Sequence, residues 1–336
     1  MSSRTPDDST LGPLSFRPLI RQAIWGGTRL GSLLHKPSTH LDDCSESWEV
    51  VDLGDDQSIV ESGPHTGTTL KRLVENHSEP LLGRHAHLDA FPLLIKFLDA
   101  TDRLSLQVHP DNTTASRLHP GQQGKTEAWV ILAAEPDSRL WVGLKSGTTA
   151  SQLETAIADD NIDSCVNSFP ARTGQCLVVP AGTVHAIGAG IVLAEIQQPS
   201  DLTYRLFDWG RFGRDGSPRR IDLEHGLEAV NFDADRVVVA EMSNTKNTES
   251  VTLFHRPEFR VLHHHVASPF ELVNDNRCRI LTTIGGSGSL EYDGIRIELS
   301  AGRTVMLPAE VRSVWLDTSD TSDTSGSLSL LDSHLP

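Results

Sequence analysis

Three short stretches carry side chains able to hold a divalent cation. In Ser105-Leu-Gln107-Val-His109-Pro, Gln107 and His109 stand two apart on a strand-like run, so both side chains leave the same face. Gln107 offers a hard oxygen and His109 an imidazole nitrogen, while Leu104, Leu106 and Val108 are expected on the other face, packed into a sheet. Lys125-Thr-Glu127-Ala-Trp129 opens another strand, with Lys125, Glu127 and Trp129 on one face. His185 ends the run Gly174-Gln-Cys-Leu-Val-Val-Pro-Ala-Gly182-Thr-Val-His185. Gln107, His109, Glu127 and His185 together supply two nitrogens and two oxygens. That set suits one zinc ion with water completing the shell, and iron, manganese and cobalt tolerate it too. Each stretch by itself has a plainer reading, since a glutamine and histidine on a strand often serve packing and a single glutamate is often a solvated carboxylate.

The elements that must position these residues are mostly strands. Arg139 to Leu144, Cys176 to Val179, Ile191 to Ile196 and Thr304 to Leu307 are short, β-branched and bounded by Gly, Pro, Asn or Asp. Helical spacing with polar starts occurs at Thr68 to Val74, Thr149 to Ala158 and Asp222 to Val230. The run from Gly174 to His185 has a degenerate copy, Gly302 to Ser313, which keeps the glycine and Pro308 but puts Glu310 and Ser313 in the last two slots. A glycine turns the chain into a strand, a proline ends it, and a second glycine permits the bend that aims the histidine. This spacing is similar to the second cupin motif. The resemblance implies a mainly β protein of two cupin-type jelly-roll barrels with a few peripheral helices, the second barrel degenerate and without metal ligands. The expected organisation is a flexible lead over 1–15, a catalytic barrel over 16–240, and the second barrel over 250–336. The polar stretch Ser243 to Ser250 marks the boundary, and Thr318 to Ser327 reads as a loop ahead of a last short strand.

Composition narrows the partners. The 336 residues carry a formal charge of −16 with acids scattered along the chain, which argues against nucleic acid or an anionic membrane. No apolar run reaches the roughly 18 residues of a membrane span, and the polar start does not read as a secretory signal. Four cysteines without CxxC spacing read as reduced thiols of a cytoplasmic protein. The run His263-His-His265 alternates between strand faces and reads as solvated or packed, and His119 has no clear partner.

Longer motifs carry a more particular resemblance. Phe91-Pro-Leu-Leu-Ile-Lys96-Phe-Leu-Asp-Ala, Leu104-Ser-Leu-Gln-Val-His-Pro-Asp111-Asn, Gly124-Lys-Thr-Glu-Ala-Trp, Val179-Pro-Ala-Gly-Thr-Val-His-Ala and Asp201-Leu-Thr-Tyr-Arg205-Leu-Phe-Asp208-Trp occur in order. With Ile24-Trp25-Gly26-Gly27 and Glu46-Ser-Trp48-Glu49, the chain resembles the type I mannose-6-phosphate isomerases in their shorter bacterial form, over roughly residues 16 to 315. The loop from Thr113 to Gln123 is looser than the family pattern. The resemblance implies one zinc on Gln107, His109, Glu127 and His185, and a substrate pocket including Ser105, Lys96, Lys125, Glu195 and Arg205.

The implied reaction moves a proton between C1 and C2 of a sugar phosphate through a cis-enediolate, whose charge needs a Lewis acid or fixed cations. Lys96, Lys125, Ser105 and Arg205 are candidates for the phosphate, and no Gly-rich phosphate loop is present. Glu195 could act as base if burial raises its pKa, with a depressed lysine as the rival; Arg205 stays protonated and suits charge stabilisation, or a structural pair with Asp208. A non-haem iron oxygenase and a non-catalytic sugar-phosphate-binding protein are the alternatives. The cations around the site count against the first, and the lack of a DNA-binding segment against the second. A monomer or weak homodimer is expected.

Overall fold

The computed structural model describes residues 10–37, 42–243, 245–318 and 326–336. Strands are labelled in chain order with the two-residue ones left unlabelled. The first unit contains β1 (Leu19–Gly27), β2 (Cys44–Val50), β3 (Leu94–Ala100), β4 (Leu106–Val108), β5 (Glu127–Ala134) and β6 (Arg139–Leu144). It continues with β7 (Val166–Pro170), β8 (Gln175–Val179), β9 (His185–Ile187), β10 (Ile191–Gln197), β11 (Tyr204–Phe207) and β12 (Val239–Glu241). These form two antiparallel sheets, ordered β12-β8-β5-β10-β3-β2-β1 and β7-β6-β9-β4-β11. The inner faces meet in one apolar cluster, with Trp129, Ile131, Leu177 and Leu193 from the larger sheet against Leu140, Val142 and Ile187 from the smaller.

The second unit holds β13 (Glu249–His255), β14 (Arg260–Val266), β15 (Phe270–Val273), β16 (Arg279–Tyr292), β17 (Ile295–Ser300), β18 (Thr304–Leu307), β19 (Ser313–Asp317) and β20 (Leu328–His334). Its main path runs β13-β14-β20-β16-β19-β15, with β17 and β18 also on β16. The architecture is the mainly β, double-barrel cupin fold.

The two barrels share a core. The outer face of the larger first sheet, with Ile95, Phe97, Val130, Val192 and Ala194, packs in the same cluster as Val261, Ile280, Met306 and Leu331 of the second unit. A strand covered on both faces needs no polar alternation, which is why all seven residues of β10 are buried and why Ile191 to Ala194 reads as a continuous apolar run. Of the lead 1–15, residues 1–9 lie outside the described residues. The rest is packed: Leu11 is fully buried, and Leu14 exchanges two 2.8 Å main-chain hydrogen bonds with Met306 of the second unit. Of the expected loop Thr318 to Ser327, residues 319–325 lie outside the described residues, and of Ser243 to Ser250, residue 244 does; Glu249 and Ser250 already belong to β13.

Five α-helices lie around the first barrel among the described residues: α1 (Arg29–Leu34), α2 (Leu70–Leu82), α3 (Asn112–Leu118), α4 (Ala150–Ala158) and α5 (Leu223–Ala229). Helix α4 starts at a capping box in which Thr149 and Gln152 satisfy each other's main-chain N–H groups. Helix α2 runs past the expected end at Val74, with a break at His77. Pro80 lacks the N–H for the carbonyl four residues back and its ring crowds that carbonyl, so the helix bends there and continues. Helix α3 occupies part of the expected loop Thr113 to Gln123. Its cue is a cap, with Asp111 accepting from Thr114 N at 2.7 Å, rather than apolar periodicity, since only Ala115 is buried. No helix among the described residues is long and apolar enough to cross a membrane.

Candidate active site and metal centre

The candidate site lies where β5 and β9 begin and β10 ends. Gln107 pairs with His185 on one side and with Arg205 on the other, so the three side chains leave the same face of the smaller sheet. Leu106 and Val108 point the other way, into a cluster with α4 and α5. Leu104 does not join them, contrary to the alternation expected from sequence. It precedes the strand, donates from its N–H to Ile187 O at 2.7 Å, and packs in the inner cluster beside Trp129. On the larger sheet, Trp129, Glu195, Lys96 and Trp48 form one cross-strand row over β5, β10, β3 and β2.

His185 is aimed by the turn before it. Gly182 has φ +84°, and a Cβ there would stand 2.9 Å from Cβ of Asn231, so only glycine fits. Gly182 N–H donates to His109 O at 2.7 Å, which ties the turn to the strand carrying the other histidine. In the second barrel Gly302 has φ +89°, as its counterpart Gly174 has +88°, Glu310 stands in the slot of Gly182, and Ser313 opens β19 as His185 opens β9.

His109, Glu127 and His185 are buried, and one ligand atom from each lies within 4.8 Å of the others. Nδ1 of His109 donates to Leu202 O and Nδ1 of His185 to Thr183 O, both at 2.8 Å. A carbonyl can only accept, so the hydrogens sit on Nδ1 and both Nε2 lone pairs face Glu127, at 3.1 Å from Oε1 and 3.8 Å from Oε2. His109 Nε2 has no hydrogen-bond partner among the described residues. Burial, then Lys125, pushes the His109 pKa down to about 3, and burial also lowers that of His185, so both imidazoles are neutral. Burial opposes ionisation of Glu127, but Lys125 Nζ at 2.8 Å outweighs it, and its carboxyl lies well below the usual range. Two neutral imidazoles and a carboxylate around an unpartnered buried nitrogen are donors that fit one divalent ion. Gln107 meets the cluster through its amide, Nε2 being 3.1 Å from His185 Nε2, and Ser105 Oγ donates to its Oε1 at 3.5 Å. A half-turn of that amide, which has the same shape either way, presents the oxygen instead.

Cations flank this centre. Lys96 Nζ lies between Glu46 Oε2 at 3.3 Å and Glu195 Oε1 at 3.5 Å. Burial works against its charge, but Glu195 and Glu46 outweigh that and hold its pKa above the ordinary lysine value. Glu195 is shifted the other way. Burial and the neighbouring Glu127 raise its carboxyl well above the usual range despite both lysines. Lys96, Gln107, Lys125, Glu127 and Glu195 line one cavity of about 70 Å³.

Arg205 stands apart from that cavity. Its guanidinium donates to Arg220 O at 2.8 Å and lies 3.9 Å from Asp208, which also holds Arg211 at 2.7 Å and Arg219 at 3.0 Å. Conversely, Glu46, Trp129, Asp201 and Thr203 line the cavity although sequence reasoning gave them no role there. Their signal was membership of the quoted motifs, but nothing in spacing says that β2 comes beside β3.

Outside the site, His263 and His264 are buried and bonded rather than solvated. His264 links Ser250 Oγ at 2.6 Å to Asp332 at 2.9 Å, and His263 bonds Ser329.

Fold and centre together define a cupin with a buried His/Glu/His set in its first barrel and charged lysines beside it. Residues 14–127 match the family model of the type I phosphomannose isomerase catalytic domain. Over 222 residues, 66% of this chain and 69% of the relative, the sequence is 38% identical to the mannose-6-phosphate isomerase ManA of Bacillus subtilis. It is 31% identical to the probable mannose-6-phosphate isomerase GmuF of the same organism, over 88% of this chain and 93% of that protein. The crystal structure of a mannose 6-phosphate isomerase from Bacillus subtilis superposes with a TM-score of 0.85 at 28% identity, covering 97% of this chain and all of that one. The chain belongs to the mannose-6-phosphate isomerase family.

Proposed function

We propose that the chain is a zinc-dependent aldose-ketose isomerase interconverting mannose 6-phosphate and fructose 6-phosphate through a cis-enediolate. The observation that carries this reading is the convergence of two neutral histidine nitrogens and the Glu127 carboxylate, with Lys96 and Lys125 beside them. Gln107, His109, Glu127 and His185 would hold one ion per chain. A mannose 6-phosphate isomerase of the same fold has been solved with zinc and yttrium bound. When bound, the ion supplies a Lewis acid for the oxygens of the reacting carbons.

The chain's own residues do the rest. The Lys96 and Lys125 ammonium groups offset the negative charge that develops on O1 and O2 as C–H is broken. Glu195 is the proton carrier. A carboxyl raised by burial is a stronger base once ionised and a usable acid when protonated, as shuttling one proton between C2 and C1 requires. Ser105 orients the Gln107 amide. Arg205, with its neighbours at Asp208, supplies positive charge at the periphery for the phosphate. The lysines are what favour this reading over oxygen chemistry on a neutral substrate, and the buried proton carrier favours turnover over mere binding.

The test is a coupled assay of fructose 6-phosphate formation. The purified protein is expected to turn over mannose 6-phosphate, to lose activity with a chelator, and to regain it with zinc. His185→Ala should lose both the ion and the activity; full activity in that variant would sink the metal assignment.

A further inference from the structure

The acidic side chains of the cavity differ in what they have left to give. Glu127 has Oε1 against His109 and Lys125 and Oε2 accepting from Trp129 Nε1 at 3.1 Å. The Glu195 carboxyl is raised well above the usual range by burial and by Glu127. Glu46 is another case. Both hydrogen bonds to its carboxylate go to one oxygen: Oε2 accepts from Trp48 Nε1 at 2.6 Å and from Lys96 Nζ at 3.3 Å. Oε1 has no hydrogen bond among the described residues, and the side chain lines the cavity with 18% of its surface open. Burial raises its pKa, but Lys96, the Trp48 bond and Lys125 outweigh this, so the carboxylate is ionised.

We propose that Glu46 is a substrate-binding residue, its Oε1 accepting a hydrogen bond from a hydroxyl of the sugar chain away from the reacting carbons. This rests on the sugar-phosphate reading above. An ionised carboxylate repels a phosphate, so Glu46 takes the polyol stretch and not the phosphate end. It also sits on the far side of Lys96 from Glu195, and so does not meet the carbons that exchange the proton. The indole and ammonium that grip Oε2, themselves fixed by the guanidinium of Arg21 4.5 Å from the Trp48 ring and by Glu195, prevent the carboxylate from rotating. An acceptor held in this way loses little entropy when it binds, and it penalises a ligand lacking the matching hydroxyl.

The experiment compares mannose 6-phosphate with its 3-deoxy, 4-deoxy and 5-deoxy analogues in the wild type, Glu46→Gln and Glu46→Ala, each checked for bound metal and for fold by circular dichroism. In the wild type, one analogue should lose about 10- to 100-fold in kcat/KM, the range of a hydrogen bond to a charged acceptor. In Glu46→Ala that penalty should fall below about 3-fold, with Glu46→Gln between the two. If Glu46 only held Lys96 in place, the variants would lose activity equally on all four substrates and every deoxy penalty would persist, which overturns the proposal. A wild type that binds metal but does not turn over mannose 6-phosphate would overturn the isomerase reading itself, and this inference with it.

Discussion

Glu195 and Asp332 are both fully enclosed carboxyl groups, yet their surroundings drive them in opposite directions. Glu195 has a second carboxylate near it and a lysine only at 3.5 Å, so burial wins and its pKa is raised well above the usual carboxyl range. Glu195→Gln keeps the shape and removes the transferable proton. Its kcat should drop about 10²- to 10⁴-fold with bound metal unchanged, and a loss below 10-fold would move the proton carrier elsewhere, to a lysine. Asp332 is held by Arg279 Nε at 3.2 Å and by His264, and burial is outweighed, so its pKa is lowered. A lowered carboxyl pKa stabilises the fold above the unfolded value near 3.9, and that stability is lost as pH falls below it toward the folded value. Asp332→Asn should therefore cost about 3–5 kcal/mol near pH 7, by leaving Arg279 buried without a counter-charge. In urea titrations the gap between variant and wild type should narrow progressively below about pH 4. A gap that stays constant to pH 2 would contradict the ionised state of Asp332.

At the scale of elements, the bend between β8 and β9 matters most, because it fixes His185 relative to His109. Gly182→Ala would force a side chain into left-handed backbone and against Asn231. Strain of this kind costs about 1–3 kcal/mol, and the shift should appear first as weaker metal binding. The expected result is at least a tenfold rise in the zinc dissociation constant with circular dichroism unchanged; unaltered affinity would mean that the turn does not control the histidine. The starts of the expected helices were open to reading from sequence, as the Thr149 box shows, since a cap is a local arrangement of three or four residues. Helix α3 was missed because its signal was a cap without an apolar stripe. Helix α2 was cut short because Pro80 bends a helix as often as it ends one.

At the scale of the molecule, the shared core makes the two barrels one cooperative unit. Phe97 and Ile95 of the first barrel and Met306 and Leu331 of the second belong to the same buried cluster. Thermal unfolding should therefore show a single transition, coincident by far-UV circular dichroism and by tryptophan fluorescence, five of the six tryptophans lying in the first unit and only Trp315 in the second. Met306→Ala should lower stability by about 2–5 kcal/mol and shift both signals together. Two separate transitions would show that the barrels fold independently. The second barrel's strands, through Val261, Ile280, Met306 and Leu331, carry part of the core on which the first barrel's larger sheet rests.

The sequence by itself determined the β architecture, the spacing of Gln107 and His109 at the end of one short strand, the strand that opens at Glu127, and the glycine-built turn before His185. Each of these depends on residues within about a dozen positions, where alternation and turn chemistry act directly. Only the tertiary structure decided what depends on which strands lie side by side. Strand pairing put Lys96 between Glu46 and Glu195, brought Leu104 into the barrel interior, and packed Leu11 and Leu14 on the second barrel. These contacts join residues 50 to nearly 300 positions apart, and their charge states follow from burial that no local pattern records.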